Sequence, residues 1–146
     1  MNIIEKVKAL LTGYEKIAEF SHDLHVDYTE PNPTNYGLSS SGDQLIRKDI
    51  VGNELRQHNF VLYAVNQSFT DYDRLTNSNF LLELNYWLET LKGQEVTVTI
   101  NEAEYRGEIT RMWSANGMLY SVPTGDLHDG VAYQLQIYAQ YKVRKV

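Results

Sequence analysis

The chain has 146 residues, a formal charge of −6 at pH 7 and no cysteine. This length fits one domain over residues 1–146 with a core of its own. The lack of thiols excludes disulfides, thiolate metal sites and cysteine nucleophiles, and the acidic balance disfavours a general nucleic-acid binder. No apolar run is long enough to span a bilayer and residues 1–20 lack the apolar block of a signal peptide, so we expect a soluble protein without a membrane partner.

The first part of the chain predicts a helix, a short strand and a long loop. Apolar residues recur at helical spacing over residues 3–14, with Asn2 placed to cap the helix and Gly13 to interrupt it. Alternation over residues 24–29 predicts a half-exposed strand. The prolines, glycines and serines of residues 30–43 predict a loop of about 14 residues, and loops of that length are usually functional or disordered until bound.

The centre of the chain predicts a long antiparallel hairpin. Two strand-like runs, residues 44–51 and 54–65, flank Gly52 and Asn53. Glycine in the first position of a two-residue turn suits the positive φ of a type II′ hairpin. Apolar side chains alternate onto both faces of the second arm, so we expect both faces to be covered.

After residue 66 the spacing of apolar residues becomes helical and continues to Leu91. Ser68 or Thr70 can cap the first turn, and Gly93 suits a left-handed helix end. We expect this helix to pack on the sheet.

The last third predicts strands joined by turns. Alternation indicates a hairpin of residues 96–100 and 105–113, and the Asn-Gly pair at 116–117 predicts a turn into a short run at 118–122. Residues 131–143 give the cleanest strand, with apolar side chains on one face and mainly glutamine on the other. The predicted class is α+β, a mainly antiparallel β-sheet with long hairpins packed against two α-helices.

The histidines do not predict a metal site. His22 and His25 lie three residues apart where a helix gives way to a strand. No third ligand is set by spacing, since His58 and His128 stand alone in the sequence. Solvated or capping histidines are therefore expected.

No catalytic motif emerges either. Residues 37–42 superficially resemble a nucleophile elbow, but that motif needs a glycine two residues after the serine and an apolar strand before it. Carboxylate pairs fall in turns or at a helix start, where acids are solvated or favoured by the helix dipole: Asp71 with Asp73, Glu102 with Glu104, and Asp126 with Asp129. Since a phosphate-binding loop is also missing, the sequence predicts no enzyme, no cofactor and no catalytic residue.

Several stretches together carry a family resemblance. They are the N-terminal helix, Val-Asp-Tyr at 26–28, Asn-Tyr-Gly-Leu at 35–38, the Arg-Gln-x-x-Phe strand at 56–62, the Asn-Ser-x-Phe helix at 77–84 and the tyrosine-rich final strand. This combination resembles the minor capsid and tail-terminator proteins of long-tailed bacteriophages of Gram-positive hosts.

The resemblance implies a structural protein of the virion, made in the cytoplasm of the bacterial host. Such proteins form a homo-oligomeric ring, commonly a hexamer, that caps the tail tube and provides the surface for head attachment. The implied partners are further copies of the chain, the tail tube protein and a head-completion or connector protein, while DNA passes through the lumen without specific binding. The 11 tyrosines fit this interpretation, because tyrosine suits subunit contacts. The acidic charge fits it too, because an acidic lumen repels the DNA backbone.

The interface hypothesis rests on residues whose chemistry favours exposure between strong core elements. They are Asn35, Tyr36, Leu38, Arg47, Lys48 and Arg56. The alternative for the basic residues is that they prevent edge pairing or form ion pairs between subunits.

Two other functions stay open. One is a neighbouring connector or minor capsid position, which composition does not separate from a terminator. The other is a small-ligand or carbohydrate binding module, with Tyr105, Trp113 and Tyr120 lining a shallow site.

Overall fold

The computed structural model describes residues 1–14, 24–26, 35–66, 80–121 and 131–146. Its helices and strands follow in the order α1 (Ile3–Thr12), β1 (Leu24–Val26), β2 (Asn35–Lys48), β3 (Glu54–Asn66), α2 (Phe80–Glu89), β4 (Glu95–Ile100), β5 (Ala103–Ser121) and β6 (Val131–Lys145). The α+β class with a mainly antiparallel sheet is confirmed.

The strands form one sheet in the order β1-β2-β3-β6-β5-β4. β1 runs parallel to β2, and the other neighbouring strands are antiparallel. The two central strands, β3 and β6, pair along their whole length, from Glu54 opposite Val143 to Asn66 opposite Val131. The middle of the sheet therefore joins residues far apart in sequence.

The core lies between one face of this sheet and the two helices. The clean alternation of the last strand is confirmed over residues 135–143, where the odd-numbered side chains are buried: Leu135, Ile137, Ala139, Tyr141 and Val143. Phe60 and Leu62 of β3 share that core. The helices meet at Tyr14 and Trp87, whose stacked rings have centroids 4.3 Å apart. In the described part of the chain, neither helix is long and apolar enough to cross a membrane.

The first helix forms as the sequence predicts. The Asn2 side chain accepts a hydrogen bond from the Glu5 N–H at 2.8 Å, and Gly13 follows the last turn with a right-handed φ of −83°. The carbonyl oxygen of Met1 accepts from the Thr97 N–H at 2.9 Å. The start of α1 is thereby joined to β4.

The long loop predicted over residues 30–43 is wrong for residues 35–43, which belong to β2. β3 pairs with this segment along its length, and β1 pairs with residues 36–38 on the other side. Gly42 has a φ of +144° at a register shift after Ser40. The glycine and serine signal therefore marks a β-bulge within a strand; residues 30–34 lie outside the described ranges.

The hairpin turn is longer than predicted. β2 ends at Lys48, so residues 49–53 connect the arms. Gly52 has the positive φ expected of it, +92°. The Asp49 carboxylate accepts from the Asn53 N–H at 2.8 Å, which organises a five-residue connection in place of the two-residue type II′ turn.

The second helix ends earlier than predicted. Its last residue is Glu89, and Leu91 follows in a turn in which its N–H donates to the carbonyl of Leu88 at 3.1 Å. Gly93 then adopts a φ of +96° and donates to the carbonyl of Ile109 at 2.8 Å. The proposed caps at positions 68 and 70 lie outside the described residues.

The predicted turn at 116–117 is also wrong, because both residues lie inside β5. Pairing with β6 is irregular between Ala115 and Met118, so the Asn-Gly pair sits at a bulge. The turn before β5 is confirmed, with positive φ at Asn101 and Glu102. Cross-strand pairing has overridden a local turn preference where a partner strand was present.

Candidate functional site

A polar cluster interrupts the buried face of the sheet near the base of the β2–β3 hairpin. Glu54, Arg56 and His58 occupy alternate positions of β3, on the same face as Phe60. Glu54 and His58 are buried. Polar side chains at core positions need partners, and the neighbouring strands provide them.

Asp43 of β2 is the centre of the cluster. Its Oδ2 accepts from His58 Nδ1 at 2.8 Å and from the Tyr141 hydroxyl at 2.5 Å. Its Oδ1 accepts from Arg56 Nη1 at 3.0 Å, and the other guanidinium nitrogen donates to Glu54 Oε1 at 3.2 Å. These bonds join β2, β3 and β6 through side chains as well as through the backbone.

His58 also connects Asp43 to Ser40. The second ring nitrogen of His58, Nε2, is hydrogen-bonded to Ser40 Oγ. The order of groups, serine to histidine to aspartate, is that of the catalytic triad of serine hydrolases. Here the aspartate is held by a guanidinium and a phenol as well, so the same bonds cross-link the sheet.

Three side chains of the cluster have shifted pKa values. Burial alone would raise the pKa of Asp43, but hydrogen bonds from His58, Tyr141 and Arg56 outweigh it and hold that pKa below its ordinary value. Burial, followed by the hydrogen bond to the Asp43 carboxylate, raises the pKa of Tyr141 far above the ordinary range. Burial opposes the charge of Arg56, yet Asp43 and Glu54 raise its pKa. At neutral pH an anionic Asp43 therefore faces a cationic Arg56 and a neutral Tyr141.

A cavity of about 640 Å³ adjoins the cluster. Its walls come from the start of α1, from β4 and from the cluster itself, including Asp43, Arg56 and Tyr141. Among the described residues, two buried polar atoms at the cluster lack a hydrogen-bond partner, Glu54 Oε2 and Arg56 Nε. Both oxygens of Asp43 thus have hydrogen-bond partners, whereas the hydrogen bonding between Glu54 and Arg56 is incomplete.

Beyond the cluster the hairpin ends in an exposed tip, residues 45–51. Its apolar residues are Leu45, Ile46, Ile50 and Val51, all exposed, and the Val51 side chain has 81% of its surface accessible. Exposed basic residues Arg47 and Lys48 lie between them. Asp49 is also exposed here, so the tip combines an apolar surface with an excess of one positive charge, the composition of a contact surface rather than of a solvated turn.

The chain shares its fold with a virion protein. It is similar to a chain of the virion of the native gene transfer agent (GTA) particle, with a TM-score of 0.54 and 13% identity over 97% of this chain and 95% of that chain. At this identity the likeness establishes the fold. No protein-family model matches the chain, and no curated protein matches it.

The fold places the basic residues of the predicted interface in two environments. Arg47 and Lys48 are exposed within the tip. Arg56 is mostly buried and forms ion pairs within its own chain, with Asp43 at 3.0 Å and Glu54 at 3.2 Å. The interface itself stays a prediction for these residues.

The other predicted interface residues lie in a strand. Asn35 and Tyr36 belong to β2, opposite Val65 and Ala64 of β3. Leu38 is buried, with 1% of its surface accessible, so its expected exposure is wrong. Its position in the core follows from pairing opposite Leu62 on the buried face.

Two of the aromatic residues proposed for a ligand site lie on opposite faces of the sheet; the side chain of the third, Tyr120, is outside what the structure describes. Tyr105 packs against the core. Trp113 stands opposite Tyr138, on the other face, where the two rings stack at 5.2 Å and Arg111 lies 4.4 Å from the indole. Tyr105 and Trp113 therefore do not line one shallow site.

For metal binding, the described ranges contain no group of three or more histidine and carboxylate side chains arranged around a common point. His25 lies in β1, and His22 and His128 are outside these ranges. The sequence interpretation missed the cluster at Asp43. The available signal was His58, which alternates with Phe60 and therefore occupies a core position.

Proposed function

We propose that this protein is a structural component of a phage-like virion. The observation that carries the proposal is the likeness in fold to a GTA virion chain, which extends over nearly the full length of both chains. A likeness of whole chain to whole chain suits a protein with the same kind of structural role. Under this proposal residues 1–146 form one domain without catalytic activity.

The more specific role we propose is that of tail terminator. The family resemblance of the sequence supports it, and so does the exposed apolar and basic hairpin tip, because ring formation requires contact surfaces between copies. The ring, commonly a hexamer, would cap the tail tube and receive the head-completion or connector protein. A net charge of −6 suits a lumen through which DNA slides, since like charges repel.

The experiment is to add the purified protein to polymerising tail tubes and to isolated heads of the same particle, and to examine both by electron microscopy. A terminator is expected to stop tube growth and to appear at one end only. Binding to heads alone, with tube length unchanged, would assign the protein to a connector or minor capsid position. Binding to neither would contradict the virion proposal.

The hydrogen-bonded series Ser40, His58 and Asp43 favours a second candidate, acyl hydrolysis. In it Ser40 Oγ would attack an ester carbonyl while His58 accepts the hydroxyl proton. The C–O bond to the alcohol would break, the alcohol would leave with that proton, and water would then release the acid from Ser40. The test is covalent labelling by a fluorophosphonate probe, with Ser40→Ala as the control. Labelling that does not depend on Ser40 rejects this candidate, and Ser40-dependent labelling rejects the purely structural assignment.

A further inference from the structure

The hairpin tip and the second helix carry complementary surfaces. We infer that the tip of the β2–β3 hairpin, residues 45–51, docks on the exposed face of α2 in a second copy of this chain. The inference deepens the proposed function, because it names the surfaces through which copies would join in a ring.

The receiving surface is the face of α2 turned away from the core. Leu82 and Tyr86 lie one turn apart and have 48% and 58% of their surfaces accessible, while Leu84 and Leu88 on the other side of the helix are fully buried. Glu89 continues the exposed row one turn further. This helix face is therefore apolar and acidic, where an ordinary solvated face is mainly polar.

The charges of the two surfaces are opposite. The tip presents two basic residues, Arg47 and Lys48, and one acidic residue, Asp49, which leaves an excess of one positive charge. The α2 face presents the acidic Glu89 next to Tyr86. A patch that is apolar and basic fits one that is apolar and acidic, and it repels another basic patch. A contact of tip with tip is disfavoured by the same argument.

Within one chain the tip does not cover the α2 face, because the apolar residues of both surfaces are exposed. Asn85 of α2 accepts a hydrogen bond from the Ser114 N–H at 2.9 Å, so the middle of the helix lies over that part of β5. Through β6, Ser114 stands level with Phe60 of β3. Leu45, where the tip begins, pairs with Arg56, four residues and about 13 Å of strand from Phe60. Strands β3 and β6 also lie between β2 and β5, so the tip and the middle of α2 lie apart in one chain.

A contact between different surfaces of two copies is heterologous. Such contacts propagate from copy to copy and close into a ring when the rotation permits, or form a filament when it does not. The hairpin and helix surfaces thus provide both halves of the joint that a ring requires.

The test uses the natural lack of cysteine. We would mix full-length Val51→Cys protein with Leu82→Cys protein, and separately with Tyr86→Cys protein, under mild oxidation, and separate the products on a non-reducing gel. A disulfide requires Cα atoms within about 7 Å. The control is Val51→Cys mixed with Lys8→Cys, an exposed position on α1.

The expected result is a disulfide from Val51→Cys to an α2 position in clear excess over the Lys8→Cys control and over either homodimer. Equal yields in all mixtures, or no product with α2, would overturn the inference. Light scattering on the same samples separates the two proposals. A closed ring without the tip-to-helix disulfide rejects this contact and leaves the ring standing, whereas the disulfide in open filaments supports the contact and counts against a closed ring.

Charge exchange provides a second readout. Lys48→Glu is expected to weaken self-association several-fold, and Glu89→Lys to do the same, because each places like charges across the contact. Protein carrying both changes should recover association toward the unmodified level. Additive weakening in the double variant would overturn the pairing of these surfaces, since two independent defects add.

Discussion

At the scale of single residues, the centre of the polar cluster is Asp43, a carboxylate whose role the sequence did not predict. His58 could be placed at a core position by its alternation with Phe60, but its partner Asp43 could not. Asp43 reaches His58 only because β2 extends through a stretch that reads as a loop and because a bulge after Ser40 sets the register. Bulges depend on tertiary contacts, and local propensity does not place them.

The hydrogen bond from Tyr141 to Asp43 makes a clean target. Tyr141→Phe keeps the buried ring and removes the hydroxyl that Asp43 accepts from. We expect the free energy of unfolding to fall by about 1 kcal/mol, the usual contribution of such a bond. Urea denaturation measures it, with Tyr105→Phe as the matched control because that ring also packs beside the core; an equal loss in both variants would contradict a special role for the bond.

The depressed pKa of Asp43 predicts a loss of stability in acid. Because the pKa is lower in the folded state, the unfolded chain binds this proton first as pH falls. The stabilisation is therefore fully present above the ordinary carboxyl pKa, near 4, and is lost as pH falls through the folded value. Denaturation midpoints measured from pH 7 to pH 2 should fall less steeply for Asp43→Asn than for the unmodified protein. Parallel curves would show that Asp43 does not contribute.

At the scale of the elements, strands with strict alternation were predictable and strands with turn residues were not. β6 has apolar residues at each alternate position, so its bounds follow from sequence. β2 and β5 contain Gly42 and the Asn-Gly pair at 116–117, which are turn signals in isolation. Both become bulges because one neighbouring strand supplies hydrogen-bond partners for the residues before and after the bulge. This strand is β3 for β2 and β6 for β5.

One glycine of β5 has no room for a side chain. A Cβ atom at Gly107 would lie 1.7 Å from the carbonyl oxygen of Lys142 on β6. Gly107→Ala must therefore push the two strands apart, and we expect a loss of more than about 3 kcal/mol in the free energy of unfolding. Gly13→Ala is the matched control, since its Cβ would meet only ordinary contacts at 3.7 Å. Thermal denaturation followed by circular dichroism compares them, and similar midpoints would refute the steric argument.

At the scale of the whole molecule, the joining of distant segments was beyond sequence reading. The chain order predicts two separate hairpins, but the pairing of β3 with β6 merges them into one sheet. The sequences of β3 and β6 do not show that these two strands pair, because each has an alternating pattern that would fit many partner strands. The class of fold could be predicted, and the strand order could not.

The shared sheet and core predict that the chain unfolds as one unit. α1, α2 and the central strands contribute to a single apolar cluster, so no part can lose its packing alone. We expect coincident urea transitions by tryptophan fluorescence and by far-ultraviolet circular dichroism, as one domain over residues 1–146 requires. Two separated transitions would divide the chain into more than one domain.

The bonds around Asp43 have a further consequence for the hairpin beyond them. They clamp both arms to β6 just before residues 45–51 begin, so the direction in which the tip points is set before any partner arrives. A hairpin whose orientation is fixed before docking loses little conformational entropy on docking, so the contact gives a higher affinity. Loosening the clamp would therefore weaken assembly from a distance, without altering a single atom of the contact surface.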